Sequence, residues 1–260
     1  AEALGQDARP EGTFGGVPFI IKDCVIMMEG KPVHDGSRIC AGLIAPYDTA
    51  LMKKFRAAGV TVVGTGVNPG FVLDALPVLL SRPCETVHSV RAVRIVDTAR
   101  RRKQLQMKTG AGMTVKDFEA KAKAGLLGHV GLAESGALIA RGLGWDVTPQ
   151  QIEESIAPVL RDRTVETAYV KAGPELCKGQ FQRLTVRAEG GRTITLELTM
   201  ELGADEQYDE ITIEGNPGIH ARLVGGIFGD TATAGCTANL IRQTAMARPG
   251  LLTVLDLPLM

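Results

Sequence analysis

The spacing of apolar residues changes at about residue 164, and this change constrains the fold more than any other feature. Beyond it, polar and apolar residues alternate, as in LTVRAE and RTITLEL, which is typical of half-buried strands. Gly190-Gly191 lies between these two stretches and predicts a hairpin. The hairpin places Leu184 and Val186 opposite Ile194, Leu196 and Leu198. DEITIEG and IHARLVGGIF predict two further strands.

Before this point the spacing is mainly helical, with one strand predicted over 88–96 (HSVRAVRIV). We predict helices over about 71–80, interrupted by Pro77, from Thr114, over 130–142, from Thr148-Pro149 with Gln151 at the capping position, and over 231–246. Residues 98–112 are basic and contain glycine, which favours a loop. Helices followed by a run of strands indicate an α+β domain with a mixed or antiparallel sheet and helices on one face.

The first 64 residues differ from the rest. VPFIIK (17–22) predicts a buried strand, residues 29–47 an irregular loop, Asp48 the start of a helix, and Val60–Val63 a second strand. These elements predict a short α/β fragment that precedes the α+β domain.

Composition excludes several functional classes. The 260 residues carry 29 basic and 29 acidic side chains, so net charge gives no reason to expect nucleic acid or an anionic membrane as a partner. No apolar run approaches the roughly 20 residues of a membrane-spanning helix. The five cysteines and four histidines are scattered without metal-ligand spacing, so we expect no metal site. Free thiols favour a reducing compartment, and hence the cytoplasm.

Residues 60–71 have the strand, glycine turn and helix order of a dinucleotide-binding site. Gly64, Gly66 and Gly70 give G-x-G-x-x-x-G, which is one residue longer than the usual fingerprint. Pro69 also removes a backbone N–H where donors would face a pyrophosphate. An ordinary turn is therefore the favoured interpretation, with a cofactor site as the alternative.

Residues 15–64 resemble the N-terminal part of the amidase-signature hydrolases. The resemblance rests on GGVPFIIKD, HDGSR, APYDTALMKKFRAAG and VTVVG. It implies that Lys22 corresponds to the base of a Ser–cis-Ser–Lys triad, in which the base activates a serine hydroxyl. The Gly-Ser-rich segment that carries the two serines in that family has no counterpart here. We therefore expect no amidase activity, and Lys22 is as well explained as a lysine that ends a strand.

From about Ala58 to Leu257 the chain resembles the C-terminal region of dihydrodipicolinate reductase-like proteins, and most closely the 2,4-diaminopentanoate dehydrogenase group. The motifs are GTGVNPGFVLDALP, QMKTGAGMTVKDFEAK, HVGLAES, RGLGWDVT, YDEITIEGNP, GDTATAGCTANLI and RPGLLTVLDLP. The resemblance implies NAD(P)-dependent oxidoreduction of a small amino or imino acid at a C=N or C–NH2 centre. It also implies that this region contacts the substrate and brings copies of the chain together into a homo-oligomer.

The same resemblance suggests two groups of binding residues. Gly66, Asn68 and Gly70 would face the cofactor, and Asn68 the substrate as well, although an Asx-type turn explains Asn68 equally. Lys108 with Gly110 and Gly112 resembles, more distantly, a loop that binds the substrate carboxylate through an ammonium and free backbone amides. A plain basic loop is the alternative.

His129 and Glu134 lie near the start of a predicted helix and are candidates for proton transfer, because histidine titrates near neutral pH. A structural role in helix capping or in contacts between copies of the chain is the alternative.

These patterns predict an amidase-like fragment over 1–64 and a reductase-type substrate and oligomerisation domain over 65–260. The dinucleotide-binding domain of the family has no counterpart in the sequence, so we expect weak or no dehydrogenase activity from this chain alone. Two alternatives remain, a serine amidase and a non-enzymatic module that dimerises through its sheet.

Overall fold

The structure is a computed structural model that describes residues 18–19, 29, 46–50, 53–54, 61–248 and 250–258. The described residues divide into two compact units. Unit 1 comprises those within residues 1–71 and 229–260, and unit 2 comprises residues 72–228.

Unit 2 is built on a six-stranded sheet with the order β10-β9-β3-β8-β7-β4. Its strands are β3 (Thr86–Asp97), β4 (Ile152–Val159), β7 (Gly179–Arg187), β8 (Thr193–Glu201), β9 (Tyr208–Asn216) and β10 (Ile219–Val224). β3 and β8 run parallel, and the other neighbouring pairs are antiparallel. A separate two-stranded ribbon joins β5 (Val165–Glu166) to β6 (Lys171–Ala172). The predicted mixed α+β fold is therefore confirmed.

The predicted hairpin is present as β7 and β8, with Leu184 opposite Leu196 and Val186 opposite Ile194. Its connection is longer than the glycine pair alone, because Ala188 N–H donates to the Arg192 carbonyl across it. Gly190 and Gly191 have φ of 72° and 73°, a region that glycine enters without steric cost.

Four helices belong to unit 2: α1 (Ala75–Ser81), α2 (Lys103–Lys108), α3 (Val115–Lys123) and α4 (Leu132–Gly142). α4 packs directly on the sheet at Gly136, where a Cβ atom would overlap Leu184 and lie 3.0 Å from Val186. The predicted start of α3 is confirmed, since Thr114 Oγ1 accepts a hydrogen bond from the Asp117 amide at 3.1 Å.

Three predicted elements need correction. The first helix begins at Ala75 rather than residue 71, after Asp74 as its N-cap, so Pro77 lies in the first turn and does not interrupt it. The predicted loop over 98–112 contains α2. The capping residues Thr148 and Gln151 close a single 3-10 turn, after which the chain enters β4 instead of a helix. Pairing of β4 with β7 overrides the local helix signal there.

Unit 1 contains a three-stranded parallel sheet of β1 (Pro18–Phe19), β2 (Thr61–Val63) and β11 (Gly250–Leu252), with β2 in the middle. The closing helix is confirmed as α5 (Gly229–Met246), and the strand predicted at 60–63 as β2. Val63, Leu252 and Leu257 form a small buried cluster with Leu240 and Ala247 against it. The rest of the predicted 17–22 strand and most of the 29–47 loop lie outside the described residues. Across the described ranges, no helix is both long and apolar enough to cross a membrane.

Candidate functional site

One face of the unit 2 sheet is covered by helices, and this covered face changes character along the strands. At one end its side chains are apolar and fully buried, among them Leu184, Val186, Ile194 and Leu196. At the other end, where β3 finishes and β7 begins, the inward positions are polar. We call these side chains the buried polar layer: Arg94, Thr98, Lys178, Gln180, Gln182 and Asp209, all no more than 4% exposed. Burying polar groups opposes folding unless they are paired, so such a layer marks a candidate site.

Arg94 and Asp209 form the charged part of this layer. Arg94 Nη1 lies 2.8 Å from Asp209 Oδ1, and Arg94 Nη2 donates to the Ile227 carbonyl. The other oxygen of Asp209 accepts the Ile227 amide at 2.8 Å. Burial lowers the pKa of Arg94, and burial raises the pKa of Asp209 against the opposing attraction of Arg94. The pair holds the Ile227 backbone at the end of the loop that follows β10.

A small pocket opens beside this pair, and its lining includes Arg94, Arg101, Asp209 and Phe228. The Arg101 guanidinium stacks 4.7 Å from the centroid of the Phe228 ring, which is 51% exposed. The pocket therefore presents a cation and an aromatic face next to the polar layer.

Gln106 organises the basic segment after β3. Its side chain is fully buried, and Nε2 donates to the carbonyls of Ala99 at 3.0 Å and Arg101 at 2.8 Å. Its Oε1 accepts the Thr167 hydroxyl at 2.8 Å. Because all three bonds run to other segments, Gln106 fixes the path of residues 98–106 without help from a ligand.

The predicted carboxylate loop retains its ammonium but lacks its two glycine amides. Lys108 is exposed in the last turn of α2. Gly110 N–H donates to the Met107 carbonyl, and Gly112 N–H donates to the Cys177 carbonyl at 2.8 Å. The expectation of free amides at Gly110 and Gly112 is therefore wrong. A Cβ at Gly110 would meet the Phe118 ring at 2.5 Å, so close packing accounts for this glycine.

The backbone of His129 is held by Gln182 of the polar layer. Gln182 Oε1 accepts the His129 amide at 2.7 Å, and Gln182 Nε2 donates to the His129 carbonyl at 2.9 Å. Nε2 also donates to Glu154 Oε1 on β4. The structure thus connects the predicted residue His129 to the covered face through β7.

Glu134 lies in the first turn of α4 and is partly buried. Its neighbour Ser135 is fully buried and donates to Asp74 Oδ2 at 2.8 Å, which ties α4 to the N-cap of α1. Catalytic roles for Glu134, His129 and Lys108 stay predictions.

Lys178 completes the layer. The side chain is fully buried, and Nζ donates to the carbonyls of Gly173 at 2.5 Å and Leu176 at 2.9 Å. Burial lowers its pKa, because the surroundings favour the neutral amine. The lysine staples the loop before β7 to the sheet.

The turn at 64–70 belongs to unit 1 and does not fit a pyrophosphate cradle. Gly70 has φ of 127°, and a Cβ there would overlap the Gly66 amide nitrogen and lie 2.7 Å from the Gly66 carbonyl oxygen. A Cβ at Gly66 would lie 2.9 Å from the Pro69 carbonyl oxygen. The missing side chains thus let the turn close on itself, whereas a dinucleotide site needs them missing toward a phosphate. Asn68 is partly buried in this turn, and its predicted contacts stay predictions.

Two further expectations concern chemistry elsewhere. Lys22, the amidase candidate, lies outside the described residues. Among the residues that the structure describes, no group of three or more His, Cys, Asp or Glu side chains could hold a metal ion.

The sequence interpretation missed most of the polar layer. Gln180 and Gln182 occupy the same alternating positions as Leu184 and Val186, and Arg94 lies between Ala92 and Val96 in a strand pattern. Polar residues at inward positions of a strand were the available signal. Lys178 and Gln106 carry no comparable signal, because their burial depends on loops.

Comparison with known proteins agrees with this division of the chain. Residues 71–260 match the 2,4-diaminopentanoate dehydrogenase C-terminal domain family, and residues 1–75 match the amidase family. The chain is 31% identical over 205 residues to 2,4-diaminopentanoate dehydrogenase of Acetoanaerobium sticklandii, covering 77% of this chain and 58% of that protein. Over 67 residues it is 44% identical to the amidase-type component of the glutamyl-tRNA(Gln) amidotransferase of Salinispora arenicola, covering 24% of this chain and 13% of that protein.

Among solved structures, the amine dehydrogenase from Mycobacterium smegmatis has the same fold, with a TM-score of 0.68 and 19% identity. The similarity covers 78% of this chain and 60% of that one. The chain therefore spans somewhat more than half the length of its dehydrogenase relatives. The N-terminal segment is similar to a fragment of the amidases, and the chain belongs to the 2,4-diaminopentanoate dehydrogenase C-terminal domain family.

Proposed function

We propose that unit 2 is the substrate-binding part of an NAD(P)-dependent oxidoreductase that acts on a small amino or imino acid at a C–NH2 or C=N centre. The observation that carries this proposal is the buried polar layer beside the 98–113 segment. A sheet that packs only for stability would continue its apolar pattern to the end of the face. Membership of the dehydrogenase family supports the reaction class.

Residue roles follow from position and charge. Lys108 supplies an exposed ammonium for the substrate carboxylate, and its place at the carboxyl end of a helix leaves its charge available to an anion. His129, held at its backbone by Gln182, and Glu134 are the proposed groups for proton transfer. The Arg101–Phe228 pocket is a second place where a small substrate could lie.

The proposed function does not include cofactor binding by the 64–70 turn. Its glycines approach their own backbone, so the residues of this turn do not fit the nicotinamide dinucleotide that the family uses. We propose that the chain alone has weak or no dehydrogenase activity for this reason.

Isothermal titration of the full chain with 2,4-diaminopentanoate, the compound in the family name, tests this function. Saturable binding at or below roughly millimolar concentration is expected, with pentanoate, which lacks both amino groups, binding more weakly. Lys108→Met should weaken the binding of both compounds. The exposed Lys116→Met on α3 is the matched control and should leave binding unchanged. Absence of binding by the wild-type chain would contradict the proposal.

A second proposal concerns association. The face of the unit 2 sheet opposite the helices carries a cross-strand cluster in which Glu197 bonds Arg91 and Arg183. Both arginines are about half exposed, while Glu197 is nearly buried. We propose that copies of the chain associate through this face. Sedimentation at micromolar concentration should detect an oligomer, and a monomer would contradict the proposal.

A further inference from the structure

The orientation of the Gln182 side chain is determined by a backbone, which removes the usual ambiguity of an amide. The His129 N–H can only donate and the His129 carbonyl can only accept. Gln182 must therefore turn Oε1 toward the amide, at 2.7 Å, and Nε2 toward the carbonyl, at 2.9 Å. The Glu154 carboxylate, which accepts from Nε2, requires the same orientation.

The fixed amide of Gln182 in turn fixes its neighbour on the same face. Gln180 lies two residues earlier on β7, and its nearest polar contact is Gln182 Oε1, an acceptor. Gln180 must therefore present Nε2, which lies 3.3 Å from that oxygen. Its own Oε1 consequently faces away from Gln182.

Gln180 Oε1 is a buried acceptor with no hydrogen-bond partner among the residues that the structure describes. The residue is 1% exposed and lies on the row of Val96 and Met200, close to the end of β3. A buried carbonyl oxygen without a donor opposes folding, and native proteins retain such groups rarely. The relay from His129 through Gln182 therefore holds this oxygen ready for a donor from outside the fold.

We propose that Gln180 Oε1 is the acceptor that recognises a protonated alkylamine, namely an amino group of the substrate. This inference rests on the proposed function and names the substrate group for the same polar layer. An ammonium carries three donors and no acceptor, so it complements an amide oxygen that cannot rotate away. The Glu154 carboxylate at the other end of the relay polarises the two amides in the direction that favours a cation. The Lys178 ammonium is engaged with the Gly173 and Leu176 carbonyls, which direct it to the loop before β7.

Two variants of the full chain separate recognition from packing. Gln180→Met keeps the length of the side chain and removes the oxygen. Gln180→Glu keeps an oxygen in place, because a protonated carboxyl group can donate to Gln182 Oε1 and still present its carbonyl. Each variant is titrated calorimetrically with 2,4-diaminopentanoate and with pentanoate, and its thermal unfolding is measured without ligand.

The proposal expects Gln180→Met to weaken 2,4-diaminopentanoate binding at least tenfold while pentanoate binding stays the same. Its unfolding temperature without ligand should not fall, because the variant removes an unpaired buried acceptor. Gln180→Glu should bind the diamine within a fewfold of the wild type.

Two results would overturn the proposal, and they differ in what else they affect. Equal diamine binding by wild type and Gln180→Met refutes the role of Gln180 but leaves the proposed function standing. No diamine binding by the wild type refutes both. A fall in the unfolding temperature of Gln180→Met with unchanged binding would assign Gln180 to packing alone, which also refutes the proposal.

Discussion

Gln182 pairs with His129 as the peptide group of an adjacent strand would, accepting its amide at 2.7 Å and donating to its carbonyl at 2.9 Å. A side chain on β7 thus takes the place of a paired strand for this segment. The contact fixes the backbone from which the His129 imidazole projects, and it orders the side chains of the polar layer around it.

Gln182→Leu removes both hydrogen bonds while keeping a side chain of similar size. It leaves two backbone groups of His129 and the Glu154 carboxylate without their partner, so we expect a loss of about 2–4 kcal/mol in the free energy of unfolding. Urea unfolding measures the loss. Gln104→Leu on the exposed side of α2 is the control and should change stability by less than about 0.5 kcal/mol. Equal effects of the two variants would contradict the structural role of Gln182.

The Arg94–Asp209 pair predicts strong coupling between two buried charges. Arg94→Met leaves the Asp209 carboxylate buried beside a single amide donor, so we expect a loss of about 3–5 kcal/mol in stability. The double variant Arg94→Met/Asp209→Leu removes both charges and should be more stable than the single one. A double-mutant cycle from urea unfolding checks this order, and strictly additive losses would contradict the pairing.

Two helical glycines predict opposite effects of the same substitution. Gly136→Ala on α4 introduces a methyl group that overlaps Leu184, and we expect a loss of about 1–3 kcal/mol. Gly235→Ala on α5 places the methyl in open space, and alanine favours the helix by about 0.5–1 kcal/mol, so stability should rise. Thermal unfolding of both variants measures the effects, and destabilisation by Gly235→Ala or stabilisation by Gly136→Ala would contradict the packing described.

Lys178 predicts how stability depends on pH. Burial lowers its pKa in the folded chain below the ordinary value of 10.5, so the unfolded chain binds this proton more tightly. The free energy of unfolding therefore rises with pH between the lowered pKa and 10.5. The neutral amine still has two N–H groups for the Gly173 and Leu176 carbonyls. The stability of wild type relative to Lys178→Met should increase through this range in urea unfolding at several pH values, and a constant difference would contradict the lowered pKa.

Part of the fold could be predicted from the sequence because it depends on local periodicity. The alternation on both sides of Gly190-Gly191 determined β7, β8 and their register, and Thr114 determined the start of α3. The signals failed where a distant partner decides the structure. Thr148 and Gln151 form a good helix cap, yet β4 pairs with β7. α2 has no apolar stripe, because the buried side of this helix is Gln106, which hydrogen-bonds to residues up to 61 positions away.

The candidate site was less accessible from the sequence than the fold. Motif resemblance identified Lys108, His129 and Glu134, and the structure placed them on α2, on the backbone clamp of Gln182 and on α4. Gln180 and Arg94 remained hidden, since a polar residue inside a strand indicates burial only once the covered face is known. The glycines of the 109–113 segment had suggested free amides, but Cys177 occupies the Gly112 amide from a distant part of the chain.

The decisive experiment is a titration of the purified chain with NADH and NADPH, followed by nicotinamide fluorescence and confirmed by calorimetry. The 64–70 turn closes on its own backbone, and we propose that the chain contributes the substrate side of a dehydrogenase. We therefore predict no saturable binding of either dinucleotide up to about 1 mM, a limit that corresponds to roughly −4 kcal/mol. Saturable binding below that concentration would contradict this interpretation.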